Sequence, residues 1–106
     1  MLNIYPLTID IARHAGQVAK LVAQYDADLA RQLRRAATSV PLNVAEGAAA
    51  TGGNRRQRYT TALGSAYEVR ACLQVAAALD YIPTPQHSDS DRLERVIATL
   101  INTCRR

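Results

Sequence analysis

Arg55, Arg56 and Arg58 follow directly on a Thr51-Gly52-Gly53 break. A guanidinium presents a planar fork of N–H donors that matches phosphate and carboxylate. At a helix N-terminus a cation is disfavoured by about 0.3–1 kcal/mol, whereas an anion is favoured. Three Arg beside the free backbone N–H groups of a starting helix therefore form a candidate phosphate site. The competing reading is a solvated cluster balanced by acids of a neighbouring chain. A second group, Arg31, Arg34 and Arg35, projects away from the apolar stripe of the preceding helix. Residues 31–70 hold seven Arg against Glu46 and Glu68, a local balance of +5; the first thirty residues sum to −1 and the last thirty-six to zero. Tyr59 alone stands beside the Arg cluster as a stacking platform, so contact with RNA or DNA backbone is expected rather than base reading. Changing Arg55, Arg56 and Arg58 together to Gln is expected to weaken nucleic-acid binding without lowering stability.

No catalytic constellation accompanies these cations, and the chain reads as a non-enzyme. Ser39 and Ser65 have no His base in the matching helices, so a hydrolase triad is unsupported. Carboxylate di-metal bundles need about four Glu and two Glu-x-x-His pairs. Here Glu46 and Glu68 have only His14 and His87 to draw on, and neither His follows a Glu by three residues. No metal and no cofactor is expected. His14 reads as a helix-flank residue and His87 as a solvated loop residue.

A chain of 106 residues, 48% hydrophobic and 21% charged, fits one globular domain over residues 1–106. With five Tyr, no Trp and no Phe, the core must come from Leu, Val, Ile and Ala, which suits closely packed helices. Twelve Arg stand against one Lys; codon bias in a GC-rich genome would produce the same skew. Cys72 and Cys104 lack a CxxC partner and fall on apolar helical faces, where buried free thiols are common. No secretory h-region and no run near twenty apolar residues occurs, so a reduced, cytoplasmic protein without membrane contact is expected.

Four helices must position these groups. Ile4, Leu7, Ile11, Ala15, Val18, Leu21 or Val22, and Tyr25 form one stripe, with Pro6 acceptable in the first turn. Asp26-Ala27-Asp28 ends it, with Asp28 placed to cap the next helix. Leu29, Leu33, Ala36, Val40, Val44 and Gly47 form the second stripe, straight through Pro41. Asn43 and Glu46 are placed to satisfy backbone loosened there or to cap a neighbour, and Gly64 and Ser65 to permit close helix approach. Asn54, with Gln57 in capping-box position, opens the third helix, whose stripe is Tyr59, Leu63, Ala66, Leu73 and Ala77. Pro83 and Pro85 stop it. Ser88 or Ser90 starts the fourth, with Leu93, Val96, Ile97, Leu100, Ile101 and Cys104. No segment alternates with period two. The fold expected is all-α, an antiparallel up-down-up-down four-helix bundle.

Leu42 lies opposite the main stripe of its helix, and Cys72, Val75 and Leu79 form a second row well displaced from Tyr59 and Leu63. A wide apolar side in a monomer gives this pattern, and so does a further subunit covering these four residues.

Leu33-Arg34-Arg35-Ala36-Ala37-Thr38-Ser39-Val40-Pro41-Leu42-Asn43-Val44-Ala45-Glu46-Gly47, followed by Ala62-Leu63-Gly64-Ser65-Ala66-Tyr67-Glu68 and Leu79-Asp80-Tyr81-Ile82, resembles a bacterial four-helix-bundle family. That family takes its name from the protein encoded in intervening sequences of 23S ribosomal RNA, is also labelled S23-type, and includes the accessory variability protein of diversity-generating retroelements. The resemblance implies that Pro41, Asn43, Glu46, Gly47, Gly64, Ser65 and Glu68 are structural motif residues. It implies a homopentamer with no known enzymatic activity. The retroelement member partners a reverse transcriptase and binds nucleic acid. The expected partners are thus further copies of the chain, RNA or DNA, and a reverse transcriptase or other protein. Five copies at +4 each make a ring of formal charge +20, and affinity for phosphate rises with each contact. The alternative is a protein–protein interaction module without nucleic-acid binding. The chain departs from the family pattern at Asn54-Arg55-Arg56-Gln57-Arg58-Tyr59, where aromatic residues are usual.

Overall fold

A computed structural model describes residues 2–105. Four helices, α1 (Tyr5–Val22), α2 (Ala27–Ala49), α3 (Gly52–Ala78) and α4 (His87–Arg105), carry the chain, with no strand among the described residues. α2 packs on α1 and α3, and α4 packs on α3 and α1. Contacts of Ser39 with Ser65 and of Glu46 with Arg58 show that α2 and α3 run antiparallel. The long dimension of 42 Å matches α3, whose 27 residues span about 40 Å at 1.5 Å per residue.

The stripes face inward as their spacing predicts. Ile11, Ala15 and Val18 of α1, Leu33, Val40 and Val44 of α2, Tyr59, Ala66 and Leu73 of α3, and Leu93, Val96 and Leu100 of α4 share one core. Between the two residues left open in α1, Val22 is inside and Leu21 outside. Tyr25 is largely exposed, yet its ring stacks on Tyr81 with centroids 5.2 Å apart. This pair ties the α1–α2 turn to the α3–α4 connection.

α2 continues through Pro41, which is buried. Proline inside a helix costs about 3 kcal/mol through a lost hydrogen bond and a clash with the preceding turn. Val40 and Val44 on either side are fully buried. Asn43 secures the loosened turn by donating from Nδ2 to the Ser39 carbonyl at 2.9 Å and to Ser39 Oγ at 3.0 Å. Ser65 Oγ donates to the same Ser39 Oγ at 2.7 Å, so the turn is fastened to α3.

The structure corrects the helix ends. Asp26 rather than Asp28 caps α2: its backbone is extended and its carboxylate accepts the Leu29 N–H at 2.9 Å. Asp28 sits in the first turn and pairs with Arg31. α3 starts at Gly52, with Thr51 at the cap, so Asn54 and Gln57 are inside the helix and form no capping box. Gly52 has φ +57°, a conformation open to glycine without strain, which turns the chain sharply between α2 and α3. α3 stops at Ala78, ahead of both prolines. Asp80 takes φ 60°, Asp80 N–H bonds the Ala77 carbonyl and Tyr81 N–H the Ala76 carbonyl, which is a Schellman closure. α4 begins at His87, so Ser88 and Ser90 lie within it; Gln86 O accepts the Asp89 and Ser90 N–H groups.

Candidate nucleic-acid interface

The two Arg groups fare differently. Arg55 turns back from the first turn of α3 onto the end of α2. Its Nε donates to the carbonyls of Ala50 at 2.9 Å and Gly47 at 3.1 Å, and Nη2 to that of Ala48 at 3.4 Å. The last carbonyls of a helix have no intrahelical donors and carry its negative dipole end. The cation disfavoured at its own helix N-terminus is therefore favoured as the C-terminal cap of the preceding helix. Arg58 pairs with Glu46 of α2 at 2.8 Å. Arg56 is exposed and has no acidic partner among the described residues. Changing all three to Gln is therefore expected to lower stability, against the expectation from the sequence, because Arg55 and Arg58 both contact α2.

Arg31, Arg34 and Arg35 stay together. With Thr38 they line an open groove on the outer surface of α2. Arg31 is exposed and leans on Asp28, one turn back; Arg34 and Arg35 have no acidic partner among the described residues. The antiparallel pairing places Arg58 level with Glu46, twelve residues beyond Arg34, or about 18 Å along the axis at 1.5 Å per residue. The six arginines are thus not one site. Three form a surface on α2, two brace the α2–α3 junction, and Arg56 stands apart.

Of the motif residues, Pro41 is buried in α2, and Asn43, Glu46, Gly47 and Ser65 make contacts within the chain. Gly47 lies under the Tyr59 ring: a Cβ at Gly47 would sit 2.7 Å from Tyr59 Cδ1. Gly64 is corrected. It faces open space, a Cβ there would meet nothing within 4 Å, and so it permits no close approach within the chain; Ser65 does. Glu68 is exposed and unpaired among the described residues.

Of the four residues assigned to a further subunit, Leu42, Val75 and Leu79 are 61%, 45% and 53% exposed. Cys72 is corrected: at 5% exposure it belongs to the chain's own core, because its position on α3 turns it inward among the core residues rather than out toward a further subunit. Burial, and then the charge of Glu68, push its thiol above the ordinary value of 9.0. It is protonated at neutral pH and a poor nucleophile. Cys104 is partly buried, and both thiols are free.

Two arrangements lie outside the expectations from sequence. The capping role of Arg55 has a visible signal, a cation just past the end of a helix. The contact of His14 Nε2 with Asp89 Oδ2 at 3.4 Å has none, since the two residues lie far apart in the chain. Among the described residues no group of three or more His, Cys, Asp or Glu is placed to hold a metal ion, and no helix is long and apolar enough to cross a membrane.

Four apolar-seamed helices, a basic strip on one of them and a polar clasp around a helix-interior proline define a small all-α bundle protein. The family model of the 23S rRNA-intervening sequence protein matches residues 1–103, and the chain belongs to that family. A similar solved structure is a crystal structure at 1.70 Å of a protein with unknown function from the S23 ribosomal protein family of Bacteroides thetaiotaomicron VPI-5482. It superposes with a TM-score of 0.87 at 20% identity, covering 97% of this chain and 99% of that one. At that identity the likeness establishes a shared fold. No curated protein matches the chain significantly.

Proposed function

We propose that this protein is a non-enzymatic scaffold, a single up-down-up-down bundle that assembles into a homo-oligomer, of five copies by family resemblance, and binds RNA or DNA backbone. The observation that carries the binding is the α2 groove, where Arg34 and Arg35 present unpaired guanidinium groups beside Arg31. Backbone binding needs cations free of internal acids, and this is where two such residues adjoin. The open groove has no aromatic wall, so affinity comes from phosphate contact and depends steeply on salt.

Changing Arg34 and Arg35 to Gln reduces the slope of log affinity against log salt by about 2 per bound subunit on duplex DNA, at about 0.9 per phosphate contact. A fluorescence titration across a salt series checks it, with urea unfolding as the control for unchanged stability. An unaltered slope in the double variant excludes the α2 groove.

Exposed Leu42, Val75 and Leu79 support assembly. Ser65, Cys72, Val75 and Leu79 follow one another at helical spacing along the α2-facing flank of α3, and Leu42 lies between Ser39 and Glu46, both of which touch α3. Changing Leu42 to Glu raises the subunit dissociation constant at least about tenfold, since burying a leucine is worth about 1.5–3 kcal/mol. Sedimentation velocity of wild type and variant at matched concentrations measures it. The same exposed residues favour the second reading, a protein-binding module; retention of a defined protein and no nucleic acid after nuclease treatment selects that reading.

A further inference from the structure

Between α1 and the α3–α4 connection the surface opens into a cleft of about 550 Å³, within the range of small-molecule sites. Val18, Leu21, Ile82 and Pro83 form its apolar part. The polar part is built from two acid–guanidinium pairs. Asp10 Oδ1 accepts from Arg13 Nη1 at 2.8 Å. Asp89 Oδ1 accepts from Arg92 Nη1 at 3.1 Å, while Asp89 Oδ2 faces His14 Nε2 at 3.4 Å. Asp89 and His14 are the least exposed of these side chains, at 19% and 24%.

These pairs leave a surplus of donors. Both Asp89 oxygens and one of Asp10 are engaged, and the two acids balance the two guanidinium charges, but each guanidinium carries five N–H groups and gives one contact to its aspartate. The acids thus hold the two forks in place and leave most of their donors unspent, with the amides of Gln17 and Gln86 beside them. A donor-rich rim over an apolar wall matches a ligand that is acceptor-rich at one end and apolar at the other.

We propose that this cleft binds a small organic anion, a carboxylate or phosphate ester with an apolar body, whose acid group is taken by Arg13 and Arg92 and whose body lies on Val18, Leu21, Ile82 and Pro83. The site lies on α1, α4 and their facing connection, apart from the α2 groove, and stands independently of nucleic-acid binding.

Isotope-labelled full-length protein titrated with benzoate, phenyl phosphate, inorganic phosphate and benzyl alcohol tests this by amide chemical shift. Saturable shifts at Ile82, Thr84 and Gln86 are expected with benzoate or phenyl phosphate, and whichever binds tighter identifies the acid group. Arg13→Gln and Arg92→Gln each weaken that binding about tenfold, the worth of a lost charge-assisted contact, and Arg34→Gln on α2 leaves it unchanged. Arg13 is well exposed, so its variant keeps the fold even where Arg92→Gln disturbs Asp89. The absence of saturable shifts below about 10 mM overturns the proposal. So does inorganic phosphate or benzyl alcohol binding as tightly as the organic anions, or an Arg13→Gln variant that binds like wild type.

Discussion

Replacing Gly47 with Ala destabilises the protein by about 1–3 kcal/mol, the cost of overpacking a filled core. Two effects oppose each other. In a helix interior, Gly to Ala gains about 1 kcal/mol from propensity. Gly47 stands two residues from the end of α2, where much of that gain is lost to fraying. The added Cβ would lie 2.7 Å from Cδ1 of the Tyr59 ring. That ring is only 6% exposed and belongs to the core cluster, so it has no free direction in which to yield. The clash therefore decides the sign. Urea unfolding at one fixed protein concentration measures it, which keeps the comparison independent of the proposed assembly. In a Tyr59→Ala background the same change is expected to be neutral or stabilising. If Gly47→Ala costs the same in both backgrounds, the ring is not the cause.

Changing Arg55 to Gln lowers stability by about 1–2 kcal/mol, through the loss of charge-assisted bonds to carbonyls at the end of α2 and of a favourable charge at its dipole. The side chain is exposed, so water replaces part of what is lost and the effect stays below the sum of three bonds. Arg55→Lys falls between, since it keeps the charge and loses the planar fork that reaches several carbonyls at once. Arg56→Gln has no effect on the same measurement. Arg58→Gln costs at most about 1 kcal/mol, as befits an exposed ion pair. The order Arg55, Arg58, Arg56 in urea midpoints checks the assignment; equal midpoints for Arg55→Gln and Arg56→Gln would refute it.

These three arginines show why a charge cluster resists reading from sequence. Arg55, Arg56 and Arg58 are chemically identical, and their spacing is that of a solvated, phosphate-ready helix start. They are distinguished by the end of another helix: α2 stops where Arg55 reaches its carbonyls and passes Glu46 beside Arg58. Arg34 and Arg35 stay unpaired because no acid of the described chain meets them. Helix boundaries show the same division. Asp26 and Asp28 are equally good capping residues in isolation, and the backbone path out of α1 gave the position to Asp26. α3 closes at Asp80 through backbone bonds that the proline positions do not signal.

The number of helices, their inward faces and the passage of α2 through Pro41 were determined by the sequence itself. Each follows from a repeat of three and four residues, and such a repeat permits one orientation of a helix toward an apolar core. Membership of the intervening-sequence protein family was legible in the same residues. The tertiary structure alone decided which polar groups are spent and which are free. It buried Cys72, left Gly64 in the open, set Arg55 on the end of α2, and brought His14 to Asp89 across the cleft. Periodicity is a property of one helix, whereas the fate of a charge or a glycine depends on the neighbour it meets, and that neighbour lies elsewhere in the chain.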